Sequence, residues 1–322
     1  MQKVMELNPI LLKQKLVRFI VIVLRTLLII GLSYLFLFPV YYMIIIAFQS
    51  AASATDPSVV LIPKALSLDS IKMSMKILEF KDSSILTATI SVFSTIAALI
   101  SCSMVGYGLS RFKFFGQNII FALTVLTIIV PPQTILMSSY LNFRFFDFGG
   151  ILSLLGPITG ISHINLLNTP WTFILPSFFA SGLRCGLFIY IFRQFFLGMP
   201  KDLEEAAKID GCGALKTFIR IIVPLAVPTF VTVMLFSFVW HWNDFYSASM
   251  YFTDGVRPVM VMLNSIQNVL REQSGLDGYN SPYLIRTYVM AGALLSILPP
   301  LLLYVFTQKY FTESIERTGI VG

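Results

Sequence analysis

Five stretches of this chain carry no Asp, Glu, Lys or Arg: residues 26–55, 83–110, 114–143, 221–243 and 287–308. A helix rises 1.5 Å per residue, so about 20 apolar residues cross a hydrocarbon core of roughly 30 Å. Each run is long enough for that. A sixth, 171–192, is interrupted only by Arg184. Charged residues make up 12% of the chain and hydrophobic ones 56%, whereas a soluble domain carries about a quarter charged residues. The missing charge is concentrated in these runs. The expectation is an all-α polytopic membrane protein with six transmembrane helices. The N-terminal segment carries Lys3, Lys13, Lys15 and Arg18, but its apolar run is long and has no small-residue cleavage site, so it does not read as a cleavable signal.

A formal net charge of +7 raises nucleic acid as a partner. The basic residues flank apolar spans instead of clustering on one face, however, which is the positive-inside pattern. With the N-terminus inside, thirteen Lys/Arg fall on inner segments, among them Arg111, Lys113, Arg193, Lys201, Lys208, Lys216 and Arg220. Seven fall outside: Lys64, Lys72, Lys76, Lys81, Arg144, Arg257 and Arg271. That asymmetry predicts both termini inside, and no nucleic-acid partner. Cys102, Cys185 and Cys212 have no CxxC spacing, and His163 and His241 are the only histidines. Neither a disulfide framework nor a metal site follows.

Between the fourth and fifth runs lies a charged island at residues 197–224, which this orientation places in the cytoplasm. Pro200 precedes it, and Asp202 with Glu205 has capping-box spacing. Leu203, Ala206, Ala207 and Asp210 are expected on one face, the alanines admitting a close neighbour. Gly211 is a natural C-terminal stop. A second helix follows, with Leu215, Phe218, Ile219 and Ile222 on one side and Lys216 and Arg220 on the other, closed by Pro224. An ordinary amphipathic loop helix accounts for the same spacing.

At the outer end of the fifth run stands Trp240-His241-Trp242-Asn243-Asp244-Phe245-Tyr246. Aromatic faces beside planar hydrogen-bonding groups make Trp240, Trp242, Asn243, Asp244 and Phe245 candidate substrate-pathway residues. An interfacial aromatic belt is the alternative. Arg184 sits within a span beside Gly182 and Gly186, a spacing suited to close packing, and reads as a structural or gating residue. Pro131-Pro132 and Pro299-Pro300 break or kink their spans, as helices lining a cavity do. Residues 144–170, with Gly156-Pro157 and Gly160, read as an external interfacial or re-entrant insertion. Residues 52–82 and 249–282 read as external polar segments, the first a solvated face and the second carrying Asp254, Arg257, Arg271, Glu272 and Asp277.

Glu205-Ala206-Ala207, three residues, Gly211, nine residues, then Ile221-Ile222-Val223-Pro224 resembles the EAA loop of ATP-binding-cassette importer permeases, with Val223 where that pattern usually has Leu. The resemblance extends to Val130-Pro131-Pro132-Gln133, Ile174-Leu175-Pro176-Ser177, Phe192-Arg193-Gln194-Phe195-Phe196, Trp242-Asn243-Asp244-Phe245 and the ending Gly319-Ile320-Val321-Gly322. Over roughly residues 20 to 322 the chain is similar to the smaller permeases of the carbohydrate-uptake branch. The resemblance implies a type I importer fold: residues 1–25 as a cytoplasmic segment, 26–310 as the permease domain and 311–322 as a cytoplasmic tail.

The same resemblance implies that Glu204, Glu205, Ala206, Ala207, Asp210, Gly211 and Pro224 couple to an ATPase, with Glu205 meeting a basic residue there. Two copies of a cytoplasmic ATPase, a second non-identical permease and an extracellular or periplasmic sugar-binding protein are the implied partners, in the lipid of a bacterial or archaeal inner membrane. On this reading 249–282 is a loop reaching into the binding protein, and Arg184 an ion-pair residue of the permease dimer. The chain has no G-x-x-x-x-G-K-[ST] loop, so it is expected to bind no cofactor itself, ATP and Mg belonging to the partner ATPases, and not to be an enzyme. A permease for peptides or amino acids is the alternative. A secondary transporter is disfavoured by the scarcity of acidic residues in the runs and the lack of two matching halves. A membrane enzyme is disfavoured because the runs hold no HExxH, paired-carboxylate or Ser/His/Asp set.

Overall fold

The computed structural model describes residues 9–54, 65–160, 162–273 and 282–319. Lys3, Lys64, Asp277 and the closing Ile320, Val321 and Gly322 lie outside the described residues. The described residues form helices α1 (Pro9–Ala47), α2 (Ala51–Ala54), α3 (Asp69–Ile77), α4 (Phe80–Arg111), α5 (Gln117–Ile129), α6 (Leu136–Arg144), α7 (Ile151–Thr159) and α8 (Trp171–Phe178). They continue with α9 (Cys185–Gly198), α10 (Asp202–Ile209), α11 (Ala214–Thr217), α12 (Val223–Leu225), α13 (Val227–Trp242), α14 (Tyr246–Tyr251), α15 (Val259–Gln273) and α16 (Pro282–Gly319). Only two isolated antiparallel bridges interrupt the helical pattern among these residues, Gln49 with Leu66 and Phe146 with Ile164.

The 32 residues of α4 are turned inside out relative to a soluble helix. Its buried face is small and polar: Ser91, Ser94, Thr95, Ala98, Cys102, Ser103 and Gly106. Its exposed face holds Ile85, Phe93, Ile96, Ile100 and Met104. In lipid no hydrophobic gain drives helices together, so small residues and interhelical hydrogen bonds take over. α8, α9 and α13 pack on this face. Ser101 donates to the Ser177 carbonyl at 2.7 Å, and Thr95 to the Ser237 hydroxyl at 3.0 Å. Phe188, Phe192 and Phe196 of α9 are fully buried against α4 and α13, with Phe192 meeting the Phe230 ring at 4.7 Å. Phe192→Ala is therefore expected to cost about 3 kcal/mol, read as a lowered melting temperature of the purified chain in detergent. α1 exposes its apolar side chains all round from Leu16 to Leu37, and packs on α16, where Arg286 donates to the Tyr42 hydroxyl at 3.1 Å; Ile46 and Ala47 at its end are buried.

Among the described residues three helices, the stretches Gln14–Ala47, Phe80–Arg111 and Pro282–Lys309, are long and apolar enough to cross a bilayer alone. Two bent pairs bring the number to five if each is one span: Gln117–Ile129 with Pro132–Arg144, turned by 98°, and Ala214–Leu225 with Val227–Trp242, turned by 81°. Pro131 and Pro132 account for the first bend, since neither supplies an N–H to the turn before it. The sixth expected run is not continuous. It is split after Phe178, where Ala180 and Arg184 take left-handed φ of 54° and 60°, and helix resumes at Cys185.

Two further expectations give way. Residues 249–282 are not an open polar loop: α15 fills much of the segment, with Val259, Met262, Ile266 and Leu270 buried at helical spacing against α3 and α16. Pro224 does not close the second hairpin helix either. The chain passes through it as a π turn over Phe218–Ile222 followed by α12, and bends at Ala226. The wider π turn absorbs the hydrogen bond that the proline ring cannot make. At residues 144–170 the chain makes an excursion and returns, α7 being nine residues long and the Phe146–Ile164 bridge joining its two stems.

Candidate functional site

α10 and α11–α12 form a hairpin that projects from the ends of α9 and α13. Asp202 lies inside the first turn of α10 and makes no cap, the Glu204 and Glu205 amides bonding instead to the Lys201 carbonyl. At the other end the Cys212 amide bonds to the Ala207 carbonyl at 2.8 Å and the Gly211 amide to the Lys208 carbonyl at 3.0 Å. These two bonds define a Schellman stop, which needs a left-handed residue between them. Gly211 supplies it with φ 75°.

The two alanines divide instead of sharing a face. Ala207 is buried, while Ala206 is exposed with Glu205, Lys208, Asp210 and Ile209. Ile209 is 87% exposed, and Leu215 and Ile219 add apolar surface to the same hairpin. The root is aromatic: the Phe218 ring lies 4.9 Å from that of Tyr107, which meets Phe196 edge-on at 5.7 Å.

Sequence reasoning missed the residue that fastens this hairpin. Arg111, the last residue of α4, is 4% exposed and forms a 3.0 Å ion pair through Nε with Oε1 of Glu204, itself 14% exposed. Its guanidinium also donates to the Met199 carbonyl at 2.8 Å. Nearby, the Leu109 carbonyl accepts from Gln117 at 2.8 Å and from Arg193 at 3.2 Å, and the Arg193 guanidinium lies 3.7 Å over the Phe121 ring. The only sequence signal for Arg111 was a basic residue ending a span. Nothing in local spacing tied it to Glu204, far along the chain.

A second constellation sits at the opposite ends of α9 and α13; the 14 residues of α9 separate the two sites by about 21 Å. There Pro132, Gln133, Arg184, Trp240, Asn243, Asp244 and Tyr246 line a cavity of ≈ 170 Å³. It adjoins a more apolar groove of ≈ 470 Å³ between α5, α6, α8 and α9. The Arg184 guanidinium lies 5.7 Å from the Trp240 ring centroid, and Trp240 stacks on Phe188 and Phe236. Asp244 accepts the Ser247 amide through Oδ1, while its Oδ2 is buried without a hydrogen-bond partner among the described residues.

Trp242 is not at this cavity. It is buried, and its indole donates to the Ser296 carbonyl of α16 at 2.9 Å. Phe245 packs edge-on against Tyr246, and Pro131 adjoins the lining at Pro132. The structure thus brings Arg184, Pro132, Trp240, Asn243 and Asp244 together and turns Trp242 into a helix-to-helix anchor.

A family model described as "Binding-protein-dependent transport system inner membrane component" matches residues 91–317. Among curated relatives, the polygalacturonan/rhamnogalacturonan transport system permease protein YtcP of Bacillus subtilis is 28% identical over 292 residues, 88% of this chain and 92% of that one. The arabinooligosaccharides transport system permease protein AraQ of the same organism is 28% identical over 306 residues, 90% and 92% of the two chains. Among solved structures, a chain of a bacterial ABC transporter involved in the import of the acidic polysaccharide alginate superposes with a TM-score of 0.69 at 22% identity. That match covers 91% of this chain and 96% of the other, a likeness of fold.

Proposed function

This chain belongs to the inner membrane components of binding-protein-dependent transport systems, and we propose that it is the transmembrane subunit of an ATP-driven importer of a sugar or oligosaccharide. The observation that carries this reading is the hairpin. Its root is buried and ion-paired to the span bundle, yet its outer face offers Glu205, Ala206, Ile209, Leu215 and Ile219 to another protein. A cytoplasmic ATPase gripping that face would turn its own closure into movement of α9 and α13, whose far ends line the cavity. With both termini inside, the hairpin faces the cytoplasm and the cavity lies toward the outer side. Two ATPase copies, a second permease closing the open side of the cavity and an external binding protein complete the machine. ATP and Mg belong to the ATPases.

The carbohydrate reading rests on cavity chemistry together with the names of the relatives. Trp240 and Tyr246 offer aromatic faces, Gln133 and Asn243 planar amides, Arg184 a donor and Asp244 an acceptor for hydroxyl groups. This mixture suits a polyhydroxylated ring better than an amino acid or peptide. Relatives named for polygalacturonan/rhamnogalacturonan and for arabinooligosaccharides set the panel to try first.

The test is co-purification of the chain with its ATPase, and ATP-dependent uptake of oligogalacturonides, arabinooligosaccharides and maltooligosaccharides by proteoliposomes supplied with the binding protein. Uptake of a peptide panel with none of the sugars would contradict the carbohydrate reading. Gly211→Val adds a check on the hairpin. Space around Gly211 is open, but a left-handed φ costs a β-branched residue about 1–2 kcal/mol. The Schellman stop is expected to loosen, lowering uptake per ATP hydrolysed without loss of assembled complex.

A further inference from the structure

We propose that Arg111 is the positioning residue that makes the hairpin and the cavity-lining helices move as one body. The proposal rests on the reading of the hairpin as an ATPase handle. The ion pair fixes α10 to the end of α4, while the second contact of Arg111, to the Met199 carbonyl, fixes the connection between α9 and α10. Two residues earlier, the Leu109 carbonyl is shared by Gln117 at the start of α5 and Arg193 near the end of α9. Three helices, α5, α9 and α10, and the α9–α10 connection thus converge on Leu109 and Arg111 at the end of α4.

The tie continues along α5 and α9. A Cβ on Gly186 would lie 3.0 Å from the Thr124 carbonyl and closer still to the Thr127 hydroxyl, so the two helices touch backbone to backbone. Thr124 and Thr127 of α5 and Cys185 and Gly186 of α9 line the larger groove. A displacement imposed on Glu204 therefore reaches that groove through the ion pair, the hydrogen bonds at Met199 and Leu109, and close-packed contacts.

The neighbouring glutamates then have separate tasks. Successive helical residues point about 100° apart, and here Glu204 turns inward to Arg111 while Glu205 stays exposed. A buried ion pair adds little net stability over apolar packing, but removing one partner is costly. Its place at the hairpin root fits transmission better than simple cohesion, which the Tyr107, Phe196 and Phe218 rings already supply.

The test uses the assembled complex of this chain with its partner permease and ATPases in nanodiscs, with Cys212→Ser and a reporter thiol, Ser181→Cys, at the exposed rim of the groove. The readout is the maleimide labelling rate with and without Mg-ATP trapped by vanadate. The unsubstituted Arg111–Glu204 background is expected to change its labelling rate on trapping. Arg111→Gln and Glu204→Gln are each expected to lose that change while the bound ATPase still hydrolyses ATP, and the exchange Arg111→Glu with Glu204→Arg is expected to restore it.

A nucleotide response that persists in the single variants overturns the proposal, since a merely structural pair would lower only the yield of complex. If Arg111→Gln fails to assemble, Glu204→Gln decides by the same readout, because it leaves the bond from Arg111 to Met199 in place. Loss of the nucleotide response in the unsubstituted background itself, or of the ATPase from the preparation, contradicts the importer reading and with it the role of Arg111.

Discussion

Glu205→Lys is expected to reduce ATP-driven uptake about a hundredfold, the equivalent of roughly 3 kcal/mol of docking free energy, while this chain and its partner permease still assemble. Glu205 is exposed, and no ion pair holds it to this chain among the described residues. Reversing its charge therefore leaves the hairpin's internal contacts intact: the Arg111–Glu204 pair, the Schellman stop at Gly211 and the aromatic root are all untouched. On the proposed function, what changes is the face offered to the ATPase. If a basic residue of the ATPase receives Glu205, lysine there replaces attraction by repulsion at close range. The measurements are ATPase retained on the purified permease pair and sugar accumulated by vesicles. Unchanged accumulation would remove Glu205 from the coupling surface.

Gly106→Leu is expected to destabilise the bundle by about 3 kcal/mol, enough to lower the yield of folded protein steeply. A Cβ at Gly106 would lie 2.8 Å from the Phe192 Cβ, 3.1 Å from the Arg193 amide nitrogen and 3.2 Å from the Ile189 carbonyl oxygen. Two of those atoms are backbone, so no rotamer change relieves the overlap, and α9 must move away from α4. The movement strains the Arg193 bond to the Leu109 carbonyl as well. Gly108, two residues along the same helix, has nothing within 4 Å of its notional Cβ. Gly108→Leu is the matched control, and its melting temperature should stay close to that of the parent. Equal destabilisation by both substitutions would mean that glycine flexibility, not close approach, governs this part of α4.

Much of the architecture was legible because charge is so costly in hydrocarbon. The ends of α4 coincide with Lys81, Asp82 and Arg111, and α16 runs through the uncharged residues 287–308. The hairpin was legible for the opposite reason, as a charged island between apolar runs with a glycine where left-handed backbone is needed. Breaks were harder to place. Pro131-Pro132 marks its bend, but the bend near Pro224 falls at Ala226, and the split before Cys185 is made by Ala180 and Arg184.

Side-chain facing was the least legible layer. Trp240 and Trp242 are two residues apart, about 200° around a helix, and one lines the cavity while the other anchors to α16. Single-residue composition cannot assign them. α15 was concealed by the polar residues around it, although Val259, Met262, Leu263 and Ile266 already carried helical spacing. Arg111 and Glu204 meet only because α4 packs against α9 and α10 follows α9 at the end of α4.

The most direct test of the central claim, that an ATPase grips the outer face of this hairpin, is site-specific photocrosslinking in cells expressing the whole transporter. A benzophenone amino acid at Ile209, which is 87% exposed, should give an adduct with the ATPase subunit, and the same group at the half-buried Leu203 should give much less. An active transporter with no ATPase adduct from Ile209, or with equal adducts from both positions, would contradict it.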